Sequence, residues 1–244
     1  MNKCHPERFL FSKELRRKGI NSVGAGKYGQ VSVGCTSLSC KKQIAVKKSL
    51  DDMKDEFKMI QKAYRIAPKH VSQPFAFAKC KPVGSIIYSE YIDGKTLNKT
   101  KWITRSVLYQ VLVTLYKFQT HNFRHNDVHL GNIIVENKTN RAVIVDFGLA
   151  NTKALDMTNQ YGIHPNSDLR YDYHLFLNWV YTGTYNPVIT AFIKRMIPSV
   201  YLGQDTIKVK NFRLKYGTSY PGLPTLRQVI KSHFFDSCRK KNIR

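Results

Sequence analysis

Four short groups of residues, in a fixed order along the chain, carry the chemistry this sequence offers. The two most specific come last. His125-Asn126-Asp127-Val128-His129-Leu130-Gly131-Asn132 has the spacing H-x-D-x-x-x-x-N. Nineteen residues after Asp127 stands Asp146, opening Asp146-Phe147-Gly148-Leu149-Ala150 behind the apolar run Val143–Val145. Two carboxylates and an amide in this layout suit a Mg²⁺-nucleotide site: Asn132 and Asp146 are hard oxygen ligands for the metal, and Asp127 meets the hydroxyl that attacks. Upstream, Ile44-Ala45-Val46-Lys47 ends an apolar strand on a lysine. An ammonium away from water needs a carboxylate, and the next helical stretch offers Asp52, Asp55 and Glu56. Glu56, four residues before Ile60 and beside Phe57 on the inward face, is the expected partner, with Asp52 the alternative. First in order stands Gly24-Ala25-Gly26-Lys27-Tyr28-Gly29-Gln30-Val31, a G-x-G-x-x-G-x-V string whose glycines let backbone N–H groups approach phosphate with no Cβ in the way.

The elements around these groups decide what the glycine string is. A dinucleotide-binding fingerprint needs a helix directly after it, whereas Gln30–Gly34 reads as strand; a P-loop needs Lys-Ser/Thr where Gln30-Val31 stands. From Asn21 to Val46 short apolar runs alternate with glycines, which predicts strands. Met53, Phe57, Ile60, Tyr64 and Ala67 recur at helical spacing, and Ile86, Ile87 and Tyr88 predict a buried strand ending at Glu90. Thr104 to Phe118 is the clearest helix, with Thr104 as its cap. Two short strands, Asn132–Val135 and Ala142–Val145, flank the turn Glu136–Asn140; helices follow across Tyr173–Val180 and Val188–Val200, and Thr225 with Gln228 forms a capping-box signature. A strand-rich first third and a helical remainder, hinged near Tyr91–Thr96, predict an α+β, bilobal arrangement with an N-lobe of residues 1–92 and a C-lobe of residues 93–244.

Over about residues 20 to 182 the chain resembles the protein kinases, through the glycine loop, the strand lysine, the H-x-D-x-x-x-x-N loop and the Asp-Phe-Gly motif. The resemblance implies a kinase-like fold with a shortened activation segment, and ATP and Mg²⁺ as cofactors. It implies nucleotide contacts from Gly24, Gly26, Gly29, Val31 and Ala45. It also implies that Lys47 holds the α/β-phosphates while Glu56 holds Lys47. Asn132 and Asp146 would be the metal ligands, and Asp127 would orient the attacking hydroxyl. Ile87-Tyr88-Ser89-Glu90-Tyr91-Ile92 looks like the kinase hinge, which implies backbone contacts to adenine from Glu90 and Ile92, with Ser89 as gatekeeper. Asp172 looks like the buried aspartate that props the catalytic loop. The compact size is similar to the small serine/threonine kinases of large DNA viruses. The expected activity is ATP-dependent phosphorylation of protein Ser/Thr hydroxyls.

Three departures bear on that expectation. Asn126 stands where regulated kinases have the arginine that pairs with an activation-segment phosphate, which argues against phosphate-gated switching. His129 stands where serine/threonine kinases place a lysine; the H-x-D-x-H form resembles the haspin-like kinases and also the aminoglycoside and choline phosphotransferases. No Ala-Pro-Glu follows Asp-Phe-Gly, and only 26 positions separate Asp146 from Asp172. A small-molecule phosphotransferase is therefore one rival reading. A basic, nucleic-acid-binding protein on an inactive kinase scaffold is the other, though the intact Lys47, Asp127, Asn132 and Asp146 speak against it.

Composition sets the bounds. Lys and Arg number 40 against 16 Asp and Glu, a net charge of +24, which points to polyanionic partners: protein substrates, acidic ones included, and nucleic acid through the basic surface. With 42% hydrophobic and 12% aromatic residues the chain can bury a core. No apolar run approaches the ~20 residues of a membrane span, and the N-terminal stretch does not read as a secretory leader, so an intracellular protein of cytoplasm or nucleus is expected, in a host cell or virion where the viral resemblance applies. The five scattered cysteines suggest neither a zinc site nor a disulfide framework and fit a reducing compartment. His70, His121 and His174 lack ligand spacing and are expected to be structural, and His125 to pack against Phe147.

Overall fold

The computed structural model describes residues 22–26, 29–36, 40–80, 84–100, 102–152, 170–203 and 221–241. The chain is α+β and divides into two compact units, Met1–Asp93 and Gly94–Arg244. The first unit is built on one antiparallel sheet of β1 (Ser22–Gly26), β2 (Gly29–Cys35), β3 (Gln43–Ser49), β4 (Pro74–Cys80) and β5 (Gly84–Glu90), ordered β1-β2-β3-β5-β4. Helix α1 (Lys54–Ile66) lies between β3 and β4 in sequence.

Alternation sorts the side chains of this sheet. Ile44, Val46, Ile86 and Tyr88 share one face and form a buried cluster with Cys80. The cross-strand pairs Val31–Lys47, Val33–Ala45 and Ala45–Ser89 share the other. Helix α1 covers part of this second face, because Phe57 stacks on Phe77 (ring centroids 5.9 Å apart), and Phe77 pairs with Ile87, itself opposite Lys47. Ser85 sets the helix against the sheet. Its buried hydroxyl donates to the Asp51 carbonyl (2.6 Å) and accepts from the Met53 amide (2.9 Å).

Two features of this unit depart from the sequence reading. Strand β4 has no counterpart in it: Ala76, Ala78 and Lys79 are weak strand formers, and pairing with β5 makes the segment a strand. Cys35 and Cys40 form a disulfide with a Cα–Cα distance of 5.0 Å, which corrects the expectation drawn from the scattered cysteines. The spacing is wider than CxxC, yet Cys35 ends β2 and Cys40 turns the chain back at φ 50° before β3. The cysteine argument for a reducing compartment therefore falls. Cys80, which is buried, and Cys238 take no part in this disulfide.

The second unit holds a three-stranded sheet, β6 (Gly94–Thr96), β8 (Ile133–Glu136) and β9 (Ala142–Ile144), in the order β6-β8-β9, and a two-stranded pair of β7 (Phe123–Arg124) with β10 (Asn151–Thr152). Its helices are α2 (Leu97–Thr100), α3 (Arg105–Thr120), α4 (Tyr171–Gly183), α5 (Pro187–Met196), α6 (Leu226–Lys231) and α7 (Asp236–Lys241). Thr104 caps α3 by accepting from the Val107 amide (3.2 Å), and Val107, Leu108, Val111, Leu112, Leu115 and Phe118 bury its apolar stripe. Thr225 and Gln228 close the expected capping box on α6. The helix expected across Val188–Val200 is shorter. It stops at Met196 because Ile197, preceding Pro198, is pushed into extended backbone (φ −111°, ψ 125°). Among the described residues no helix is long and apolar enough to cross a membrane.

Candidate active site

In the first unit the central pair is Lys47 and Glu56. Lys47 Nζ lies 2.7 Å from Glu56 Oε1, with side chains 15% and 7% exposed. Lys47 sits between Val31 and Ile87 in the middle of the sheet, and Glu56 lies in the first turn of α1, where the helix dipole also favours a carboxylate. Of the three candidate carboxylates Glu56 makes the contact. Asp55 pairs with Lys58 (2.7 Å), and Asp52 pairs with Lys79 (2.6 Å), whose hydrogen bond holds the Asp52 carboxyl below its ordinary value.

Val31 and Ala45 are half-buried on the Lys47 face. The glycine string is a strand-turn-strand: Gly24 and Gly26 lie in β1, Gly29 opens β2, and Gly26 pairs with Gly29. Lys27 and Tyr28 fall outside the described residues. At the hinge-like segment the Glu90 N–H donates to the Gln73 carbonyl (2.8 Å), and the Glu90 carbonyl accepts from Ser72 Oγ (3.0 Å). Ile92 is buried.

In the second unit the β8–β9 hairpin brings the remaining site residues together. Asn132 immediately precedes β8, and the Val145 amide beyond β9 donates to the Asn132 carbonyl (3.0 Å), so Asp146 emerges beside Asn132. The Asn132 amide Nδ2 donates to both the carbonyl (2.9 Å) and Oδ2 (3.2 Å) of Asp127. Asn132 Oδ1 therefore faces away from Asp127. Asp146 is exposed and takes a left-handed φ of 62°. Sequence reasoning missed the clamp on this hairpin: Gln110 on α3 accepts from the Ala142 amide (2.9 Å) and donates to the Asn140 carbonyl (3.1 Å). Its signal was a polar residue at the margin of an apolar stripe.

The loop ahead of the hairpin is held from behind by Asp172. Its two oxygens accept from the backbone amides of His125 and Asn126, each at 2.8 Å. Burial pushes the Asp172 carboxyl up, against the pull of His125 and of those two amides. His125 is scaffold: it packs on Phe147 (4.7 Å), its Nδ1 accepts from the Asp127 amide (3.3 Å), and its Nε2 lies 3.1 Å from the Val145 carbonyl. Asn126, at φ 64°, sends its side-chain amide to the Leu149 carbonyl (2.9 Å). His129 accepts from the Gly131 amide at Nδ1 (3.0 Å), which puts the proton of the neutral ring on Nε2, 3.6 Å from Asp127 Oδ2. His174 is buried with Nε2 3.0 Å from the Tyr201 carbonyl, and the described residues hold no cluster of three or more metal-ligating side chains.

The chain thus has a mixed α+β fold of the kinase-like kind. A family model, the ABC1 atypical kinase-like domain, matches residues 82–163. That is about a third of the chain, and it contains Asp127, Asn132 and Asp146 but neither Lys47 nor the glycine string. The match supports an activity of the kinase, or phosphotransferase, type. No curated protein matches the chain.

Proposed function

We propose that this protein transfers the γ-phosphoryl group of ATP to Ser or Thr hydroxyls of proteins. The observation that carries the reading is the convergence of Asp127, Asn132 and Asp146 on one end of the β8–β9 hairpin. Asn132 and Asp146 fit Mg²⁺ by the chemistry of their donors: one amide oxygen turned away from Asp127, one exposed carboxylate, and, among the described residues, no all-protein cage, which is how this ion is held when phosphates complete its shell. Bound there, the metal would neutralise charge on the phosphates.

Lys47, paired with Glu56, would meet the α/β-phosphates. Asp127 has Oδ2 turned to Asn132 and His129, which leaves Oδ1 for the acceptor. The acceptor oxygen would form a bond to the γ-phosphorus as the bond to the β–γ bridging oxygen breaks. ADP would leave with that electron pair, and the hydroxyl proton would pass to Asp127. Positioning and charge neutralisation supply most of the acceleration when the transition state is loose.

The test is purified protein with labelled ATP and Mg²⁺, offered mixed proteins in one arm and amino-sugar and choline acceptors in the other. Label on Ser and Thr of protein is expected. Label confined to the small acceptors would replace the reading, and ATP neither bound nor turned over would end it.

A further inference from the structure

Within the second unit, beside the catalytic loop, lies a cavity of about 530 Å³. That volume is in the range of ligand pockets, about 300–1,000 Å³. Its walls come from α2 (Asn98), from the catalytic loop (His129), and from the end of α4 and the residues beyond it (Trp179, Thr182, Tyr185).

Close approach of backbone shapes it. A Cβ on Gly183 would stand 2.7 Å from Leu130 Cδ1, and one on Gly131 would stand 2.8 Å from His129 Cε1. Glycine at both places lets the end of α4 close on the loop, and the Trp179 and His129 rings meet edge-on with centroids 6.3 Å apart. His129 thus has two sides. Its ring walls the cavity while its Nε2 stands 3.6 Å from Asp127 Oδ2. An occupant of the cavity is one imidazole ring away from the carboxylate that meets the acceptor. This is the wrong place for the reacting hydroxyl and the right one for a neighbouring group on the same acceptor.

The lining selects the chemistry of that group. No Asp, Glu, Lys or Arg is among the described lining residues, and His129 Nδ1 is already taken by the Gly131 amide. A charged occupant would be desolvated with nothing to pair with it, whereas an aromatic or large aliphatic one meets Trp179, Tyr185 and the His129 ring. Asn98 adds one directed donor: its Oδ1 accepts from Thr96 Oγ1 (2.5 Å), so its amide Nδ2 is left to meet a carbonyl. Apolar surface also continues outward. Asn186 donates to the Ile103 carbonyl (2.9 Å), which ties the stretch holding Tyr185 and Val188 to the stretch holding Trp102; these side chains are exposed by 68%, 54% and 57%. Single exposed apolar residues are ordinary, but a group adjoining a cavity marks a binding surface. Exposed Lys95 and Lys99 lie on either side of Asn98 in sequence, and the chain carries +24, which favours acidic flanking sequence and disfavours a cationic acceptor.

We propose that this cavity is the specificity pocket for the protein substrate, taking one aromatic or large aliphatic side chain close in sequence to the phosphorylated Ser or Thr, with Asn98 donating to the substrate main chain. The proposal rests on the protein-kinase reading above. The experiment uses the full chain, Mg²⁺-ATP and acidic peptides bearing one Ser, in which Phe, Leu, Arg or Ala is moved along each flanking position. Phe or Leu at one fixed position should raise kcat/KM about tenfold over Ala, the scale of an apolar group filling a pocket. In Tyr185→Ala the Phe and Ala peptides should become equivalent. A second readout needs no catalysis: Trp102→Phe leaves Trp179 as the sole tryptophan, and its emission should change on titration with the Phe peptide and not with the Ala peptide.

Phosphorylation with no preferred position for Phe or Leu, or with a preference for Arg, overturns the pocket while leaving the kinase reading intact. So does a preference that survives in Tyr185→Ala. A change in Trp179 emission with no peptide phosphorylated at all overturns the acceptor role together with the kinase reading.

Discussion

Asp172 Oδ1 and the Asn126 amide lie 2.8 Å apart across 46 residues of chain, and the other oxygen of the same carboxylate takes the His125 amide. One buried side chain thereby fixes two consecutive peptide units, the second in left-handed backbone, directly ahead of Asp127. Asp172→Ala would strand both N–H groups. At about 1–3 kcal/mol for each unsatisfied buried donor, the variant should lose about 2–6 kcal/mol in urea unfolding. A loss under about 1 kcal/mol would show that the loop is held by something else.

The same carboxylate carries a pH signature. Burial raises its pKa in the folded protein above its ordinary value of 3.8, so the folded state binds this proton more tightly than the unfolded one. The associated stability is fully present below pH 3.8 and is lost as pH rises through the raised value. Asp172→Asn removes this titration. Urea midpoints followed upward from acid pH should therefore fall, or rise less, in the wild type than in Asp172→Asn across that window. Parallel profiles would show that the carboxylate does not titrate differently on folding.

If the proposed function holds, Lys47→Met, Asp127→Asn and Asp146→Asn should each cut phosphoryl transfer at least about a hundredfold, as loss of one member of a cooperating set does. Glu56→Gln keeps the shape of the side chain but removes the charge 2.7 Å from Lys47 Nζ, and should cost about tenfold. Asp52→Asn breaks only the surface pair with Lys79 and should stay within about twofold, in keeping with the small worth of exposed pairs. Circular dichroism would establish that each variant is folded. Near-normal turnover in folded Asp127→Asn would sink the mechanism.

The reading of these residues from sequence went furthest where chemistry and period agree. The strand lysine, the H-x-D-x-x-x-x-N loop and the helix capped by Thr104 were legible because spacing alone defines them. The choice of Glu56 over Asp52 followed from which face of α1 carries Phe57. What was not legible depended on tertiary contact. Gln110 clamps a hairpin 32 residues away, β4 is a strand because β5 pairs with it, and Cys35 meets Cys40 because a left-handed residue turns the chain. The cavity at Trp179 was also hidden, since a tryptophan within an apolar helix reads as core until its neighbours are placed.

His129 provides a test of how the loop works without the usual lysine. With Nδ1 accepting from the Gly131 amide, the neutral ring should carry its proton on Nε2, aimed at Asp127. Nitrogen-15 spectra of the full chain, assigned by comparison with His129→Gln, should show that tautomer. His129→Ala should lower kcat about tenfold with little change in KM for ATP, and His129→Gln, which can still donate toward Asp127, should recover part of the loss. An Nδ1–H tautomer, or equal kcat in the Ala and Gln variants, would remove His129 from the positioning of Asp127.

Asn126 bears on regulation. Where an arginine would await a phosphate, this asparagine is 2% exposed and spends its amide on the Leu149 carbonyl, so a part-buried hydrogen bond joins the loop to Leu149, next after Asp-Phe-Gly. The nearest acceptor after that motif, Thr152, is 3% exposed and paired with Phe123 in the β7–β10 ladder, closed to another kinase unless the ladder opens. Thr158 and Ser167 fall outside the described residues. Activity should therefore not depend on phosphorylation of this segment. Phosphatase treatment of the wild type, and the triple replacement Thr152→Ala, Thr158→Ala, Ser167→Ala, should each leave turnover within about twofold, with any further deficit in the triple variant tracking its stability. Asn126→Arg should be destabilised, since a long charged side chain would enter a buried site at a left-handed φ and the Leu149 bond would be lost. A large loss of rate on phosphatase treatment, restored by rephosphorylation of Thr158 or Ser167, would show that a phosphate switch operates here despite the missing arginine.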